Sequence, residues 1–329
     1  MKFSAAAVSE SGAGARVIAE IGGNHRGEIE TAKEMIKMAK IFCNAYAVKF
    51  QKRNPRECLT EQEYNSPHPV PQNAYGRTYG EHRERLEFSF TQHRELKEYC
   101  DELGILYSCS VWDLSSAREL VSLSPAFLKL PSACNTHFEL LDFLCGHFEG
   151  GIHVSLGMTT REEEASIVRF FEQRGRAGDL VLYACTSGYP VADTDVCLLE
   201  IERLQNTYGS RVHSLGFSGH HLGIAIDVAA MVLGATWIER HFTLDRTWKG
   251  TDHAASLEPD GLRRVVRDVA SVARALTLKP AEILEVEIAQ RKKLKWDRHN
   301  TANDWAPDAW LANGTESPSE SSNKRVANE

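Results

Sequence analysis

The sequence predicts one α/β domain, a (β/α)8 TIM barrel with a disordered C-terminal tail, and three observations carry that expectation. Short β-branched runs alternate with longer helical patterns eight times, the alternation a closed parallel sheet requires. At 329 residues the chain exceeds a typical domain but fits the range that α/β barrels fill as one unit. Its composition, 42% hydrophobic and 25% charged, is that of an ordinary globular protein with enough apolar residues for a large core.

The opening stretch MKFSAAAVSESGAGA has one lysine and no sustained apolar core, so residues 1–15 read as a disordered leader. Candidate strands follow at 16–22, 45–51, 105–110, 127–130, 152–155, 180–184, 212–217 and 237–241, each with a helix-like segment after it. Capping chemistry marks helix starts: Thr159 and Thr160 precede the acidic run REEEA, and Ser256 with Pro259 precedes the last amphipathic stretch. The exception is 53–90, rich in Pro, Asn, Tyr and charge. A connection that long is expected to be functional or disordered. A helical stretch at 282–293 closes the domain, which is taken as 16–294. Residues 295–329, ending NGTESPSESSNKRVANE, are too polar to offset their ordering entropy and read as a disordered tail.

Several function classes drop out. A net charge of −7 without a basic cluster argues against nucleic acid as a partner. No segment approaches the run of about 20 apolar residues that crosses a bilayer. The eight cysteines are scattered, none closer than nine positions to the next, which excludes zinc-type spacing and a compact disulfide framework. Reduced thiols in a cytoplasm fit better.

In a barrel of this class the polar residues at the C-terminal strand ends face the active-site mouth. In chain order these are Glu20 with Asn24 and His25, Lys49 and Gln51, Ser108 and Ser110, Lys129 and Ser132, Ser155, Thr186 and Ser187, Ser218 and His220, and Glu239 and His241. Two lysines with a ring of hydroxyls suit an anion bearing both phosphate and carboxylate, because each oxygen needs a donor. Two histidines and two carboxylates add metal or acid/base capacity. Lysines at strand ends are often solvated rim charges, but Lys49 and Lys129 sit in the apolar runs AVKF and FLKL, where an idle buried charge is costly. A lone strand-end histidine is more often a hydrogen-bonded core residue, whereas His220 and His241 on adjacent strands make half a metal site. His93, His137 and His147 read as surface or helix-face residues, and Cys109 and Cys185 as small buried hydrophobes.

The runs AEIGGNHRGEIETAKEMIKMAK, AVKFQKRN, FLKLPSA, VSLGMTT, ACTSGYP, GFSGHHLGIAIDVAAMVLGA, ERHFT and TWKGTDHAASLEP resemble the sialic acid synthase family in order and spacing, over 17–294. YGRTYGEHRERLEFS and LDRTWKGTDHAASLEP are similar to the N-acylneuraminate-9-phosphate synthase branch. The resemblance implies an enzyme that condenses phosphoenolpyruvate with an N-acylmannosamine-type aldehyde sugar, possibly its 6-phosphate, and releases phosphate. It implies that His220 and His241 hold a divalent Mn2+ or Mg2+ ion. It further implies that Lys49, Ser110, Lys129, Ser132, Ser155, Ser187 and Ser218 bind phosphoenolpyruvate, although the family position matching Ser187 can be asparagine. Glu20 and Glu239, with the two lysines, would serve the reacting carbons, and Gln51, Tyr189 and Asp252 the acceptor. A homodimer is also implied. Two departures stand out: Leu156 replaces a hydroxyl residue found in many relatives, and the C-terminal antifreeze-like domain of the family has no counterpart in this sequence. Two other readings stay open, a barrel metal hydrolase with His25 as its extra ligand and a noncatalytic sugar-binding or regulatory relative.

Overall fold

The computed structural model describes residues 14–296, so nearly all of the expected leader and tail lie outside the described residues. Strands β1 (Arg16–Gly22), β2 (Ala47–Lys52), β3 (Leu106–Val111), β4 (Phe127–Leu130), β5 (Gly151–Ser155), β6 (Leu180–Cys185), β7 (Ser214–Gly219) and β8 (Trp237–His241) pair in chain order into a closed parallel barrel. Every predicted strand is found within about two residues at each end.

The period-two alternation of each strand sorts its residues between two environments. Val17, Ala19 and Ile21 of β1, Val48 and Phe50 of β2, and Leu128 and Leu130 of β4 point outward into the large core beneath the helices. Ile18, Ala47, Phe127, Val181, Tyr183 and Trp237 form a separate apolar plug inside the barrel. Two residues further along the same strands stand Glu20, Lys49, Lys129, Cys185 and Glu239, so the inward face turns from apolar to largely charged one step nearer the C-terminal ends, and His241 follows two residues beyond Glu239. Register locks this layer: Glu20 is paired with Lys49 on one side and His241 on the other, Ser110 with Lys129, and Ser218 with Glu239.

Helix Arg161–Gln173 starts with the expected capping box, Thr160 and Glu163 exchanging hydrogen bonds with each other's backbone. The last barrel helix, Pro259–Ala275, starts differently from the expectation. Its first residue is proline, its N-cap is Glu258, and Ser256 does not cap it. The Ser256 hydroxyl instead donates to the Asp252 carbonyl at 2.7 Å and accepts from Asn24 at 2.9 Å, tying the β1 and β8 loops together.

The 53–90 segment is built rather than structureless. It contains helices Pro55–Cys58, Glu61–Asn65 and Tyr79–Leu86, and its second helix carries a Thr60–Glu63 capping box. It crosses the barrel mouth. Arg85 reaches the Gly27 carbonyl of the β1 loop, and the Tyr75 hydroxyl donates to the Lys249 carbonyl beyond β8. Gly27, at φ +73°, is the crossing point: a Cβ there would lie 2.1 Å from the Arg85 carbonyl oxygen.

The barrel unit ends at Leu276, so helix Glu285–Leu294 belongs to a second unit and not to the 16–294 domain of the expectation. That helix buries no side chain, and Lys279 pairs with Glu287 at 2.8 Å. Among the described residues no helix is long and apolar enough to cross a membrane.

Candidate active site

The strand ends enclose a cavity of about 280 Å³. Glu20, Lys49, Gln51, Ser110, Lys129, Ser132, Ser155, Ser187, Tyr189, Ser218, His220, Glu239 and His241 all line it. Of the expected site residues only Asp252 stands outside the lining. Burial opposes its charge, but His241 and Arg83 hold its carboxyl below the usual range.

Two lysines and two carboxylates fill the floor in a charge-balanced set. Lys49 Nζ is 2.5 Å from Glu20 and 3.7 Å from Glu239, and donates to the Ser110 hydroxyl at 2.7 Å. Lys129 Nζ is 2.6 Å from Glu239 and sits 4.2 Å over the Tyr183 ring. All four side chains are at least 94% buried. Burial works against each charge, and the number of opposite partners decides the outcome. Lys49 faces both carboxylates, which outweigh burial and hold it above the usual lysine range. Lys129 has one carboxylate and a neighbouring lysine, so burial prevails and its ammonium falls below that range. Glu239, between the two ammonium groups, is held well below the ordinary carboxylate range despite burial.

The opposite wall is neutral. Gly157 brings Ser132 and Ser187 together: a Cβ there would lie 2.7 and 2.3 Å from their hydroxyls, so a larger residue would push both hydroxyls aside. The Gly157 backbone N–H donates to Ser132 at 3.0 Å. The buried Ser155 hydroxyl and one oxygen of Glu239 have no hydrogen-bond partner among the described residues.

At the rim the rings of His220 and His241 lie 5.4 Å apart, with Tyr189 packed 4.2 Å from His220. The Thr186 carbonyl, an acceptor only, lies 2.9 Å from His220 Nδ1. That fixes the proton on Nδ1 and leaves Nε2 free as a ligand. Burial, then the neighbouring His241, pushes the His220 pKa down to about 3, so the ring is neutral. The buried Nδ1 of His241 has no partner. Two imidazoles with ring nitrogens to spare fit a divalent ion whose other positions are filled by substrate and water. His25 does not join them. Its ring stacks 4.0 Å from Phe88 and its Nδ1 accepts from the Gly27 N–H, and among the described residues no set of three or more His, Cys, Asp or Glu forms a metal cage. The hydrolase reading therefore loses its extra ligand.

Other strand-end residues serve the scaffold. Ser108 donates to the Phe127 carbonyl at 2.8 Å, and Asn24 to the Phe242 carbonyl at 2.9 Å. His93 is fully buried against the Tyr107 hydroxyl at 2.7 Å, not on a helix surface, because its helix packs that face on β3. Cys109 is buried as expected, whereas Cys185 borders the cavity. Sequence reasoning missed Trp112 and Arg53. Trp112 lines the cavity, and Arg53 packs 4.4 Å from its ring and donates to Gln51, which donates to Glu20 at 2.8 Å. Arg53 stands two residues beyond Gln51 on the same inward register, a signal the sequence did contain.

Residues 35–280 match the NeuB family. The human N-acetylneuraminate-9-phosphate synthase is 39% identical over 283 residues, 84% of this chain and 76% of that protein. The N,N'-diacetyllegionaminic acid synthase of Campylobacter jejuni is 30% identical over 79% of this chain and 77% of its own length. Among solved structures, the N-acetylneuraminic acid synthetase of Leptospira borgpetersenii in complex with citrate superposes with a TM-score of 0.72 at 26% identity, over 87% of this chain and 94% of that one.

Proposed function

Because the chain belongs to the NeuB family, we propose that it condenses phosphoenolpyruvate with an N-acylmannosamine-type aldehyde to give a nine-carbon 2-keto sugar acid and inorganic phosphate. The observation that carries this reading is the balanced lysine–carboxylate floor facing a wall of serine hydroxyls in one cavity.

Phosphoenolpyruvate presents a carboxylate and a phosphate, which Lys49, Lys129, Ser110, Ser132, Ser155, Ser187 and Ser218 receive in this proposal. The lysines are held in place by carboxylates before substrate arrives, so little reorganisation is needed on binding. C3 of phosphoenolpyruvate attacks the aldehyde carbon, C2 gains oxocarbenium character, water adds there, and the C–O bond to phosphate breaks. Glu20, steadied by Lys49 and Gln51, supplies negative charge near C2, and Glu239 does so from the other side. Gln51 and Tyr189 contact the acceptor, and Asp252 serves it from outside the cavity lining. His220 and His241 would hold a divalent metal, which polarises the acceptor aldehyde when bound. The family resemblance supports Mn2+ or Mg2+ and a homodimer, and eight free cysteines support a reducing cytoplasm.

Phosphate release measured with phosphoenolpyruvate and a panel of aldehyde sugars tests the reading. Release is expected only when both substrates are present. Release from phosphoenolpyruvate alone counts against a synthase and points to hydrolysis, and no release with any sugar favours a noncatalytic relative.

A further inference from the structure

Beneath the lysine–carboxylate floor the barrel interior holds a tyrosine and a histidine that the proposed chemistry does not use. Tyr183 of β6 and His153 of β5 are at most 2% exposed. Each stands two residues before a strand-end residue that lines the cavity, Cys185 and Ser155. The Tyr183 hydroxyl and His153 Nδ1 share a hydrogen bond of 2.9 Å. His153 is itself fixed, stacked 4.2 Å from Phe127 and edge-on to Trp237 at 4.7 Å. Burial, reinforced by Lys129, pushes the His153 pKa well below its usual range, and burial pushes that of Tyr183 well above its own, so the pair is neutral.

A buried tyrosine needs a partner for its hydroxyl, and that alone would account for the hydrogen bond. It does not account for where the ring lies. β7 carries Gly216 opposite Tyr183, and a Cβ there would come within 2.5–2.9 Å of three ring atoms. The ring so seated lies under Lys129, whose Nζ is 4.2 Å from its centroid. Lys129 is the less compensated of the two floor lysines: its one carboxylate is Glu239 at 2.6 Å, whereas Lys49 has both Glu20 and Glu239. An aromatic face attracts an ammonium through its quadrupole yet carries no net charge. It therefore steadies the head group without cancelling the positive charge that an anion in the cavity needs, as a further carboxylate in that place would.

We propose that Tyr183 is a positioning residue for the synthase reaction: its ring, seated by Gly216 and anchored by His153, holds the Lys129 ammonium toward the cavity where phosphoenolpyruvate binds. The inference rests on the synthase reading, in which Lys129 is one of the groups that receive that substrate.

The test is calorimetric titration of phosphoenolpyruvate into the full chain and into Tyr183→Phe, Tyr183→Met, Gly216→Ala and Val181→Ala, with KM and kcat measured alongside. Tyr183→Phe keeps the aromatic face and should bind within about twofold of the parent, whereas Tyr183→Met lacks one and should bind about tenfold more weakly. KM for phosphoenolpyruvate should rise with that loss while kcat changes little. Gly216→Ala keeps the tyrosine but pushes its ring from the seat, and should fall between the two. Val181→Ala truncates the same apolar plug on the same strand, and should lose stability in urea denaturation without losing affinity. Parent-like affinity in Tyr183→Met, or in Gly216→Ala where Tyr183→Met does not fold, overturns the role of the ring. An equal loss in Tyr183→Phe would place the effect in the hydroxyl, and an equal loss in Val181→Ala would trace it to loosening of the plug; either also overturns it. A parent that does not bind phosphoenolpyruvate sinks the synthase reading and this inference with it, whereas a parent that binds no better than Tyr183→Met sinks the inference alone.

Discussion

The two halves of the barrel mouth are built on opposite principles. On the β1, β2, β4 and β8 side, four charges neutralise one another at 2.5–3.7 Å, so the site is electrostatically complete without a ligand. On the β4–β6 side, Ser132 and Ser187 crowd around Gly157, and Ser155 at the end of β5 has a buried hydroxyl with no partner among the described residues. A charged layer cannot be left unfinished, because an unpaired buried charge costs several kcal/mol, whereas an unsatisfied hydroxyl costs far less. Stability should therefore reside in the first half and ligand dependence in the second.

The largest effect is expected from the charged half. Lys129→Ala leaves Glu239 buried beside only Lys49 and should lower the unfolding free energy by about 3–5 kcal/mol, read by urea denaturation. Adding Glu239→Gln should recover part of that loss, since the two sites are coupled. Equal stability of parent and Lys129→Ala would show that the pair is not structural. Next comes the rim. Treatment with a chelator should abolish turnover, and Mn2+ or Mg2+ should restore it in the parent but not in His241→Ala, whose activity should fall on the order of 100-fold. Metal-independent turnover in that variant would remove His220 and His241 from the proposed chemistry.

The hydroxyl half should behave in the reverse way. Ser155→Ala removes an unsatisfied buried group, so stability should hold or rise slightly, while KM for phosphoenolpyruvate rises about tenfold through loss of one hydrogen bond to an anion. A variant that loses stability but keeps its KM would mean that the two halves do not divide labour in this way.

Strand ends were legible in the sequence and the crossing segment was not, and the reason is physical. A strand has a period of two, so Lys49 between apolar neighbours at Val48 and Phe50 must face inward, and the barrel rule places it at the mouth. No comparable rule says where 53–90 goes. Its Thr60-x-x-Glu63 capping box marked a helix start and was passed over, but the placement of Arg83 beside the mouth depends on Gly27 admitting the Arg85 backbone, a contact 58 residues apart. Ser256 shows the converse. Its residue type fits a cap, yet Asn24 from the other end of the chain claims its hydroxyl. Asp252 likewise belongs to the motif but is held outside the cavity lining, where burial opposes its charge and His241 and Arg83 favour it.

The smallest effect concerns the packing behind the charged half, where His25 joins the β1 loop to the crossing segment. Its ring is stacked on Phe88 and buried, and Nδ1 must stay unprotonated to accept from the Gly27 N–H. Burial pushes its pKa from the usual 6.5 down to about 3. The folded state thus binds this proton more weakly than the unfolded chain. The stability it contributes is fully present above pH 6.5 and is lost as pH falls toward 3, at about 1.4 kcal/mol per pH unit. Other buried histidines, His82 and His253 among them, are shifted down to about 4 and add to the same acid slope. His25→Phe keeps an aromatic ring against Phe88 and removes the proton site. Between pH 7.5 and 5.5 the parent should therefore lose about 1.4 kcal/mol more than this variant in urea unfolding. Equal losses would mean that His25 takes up its proton in the folded state as readily as in the unfolded chain, and that the crossing segment does not seal the β1 side of the mouth from water.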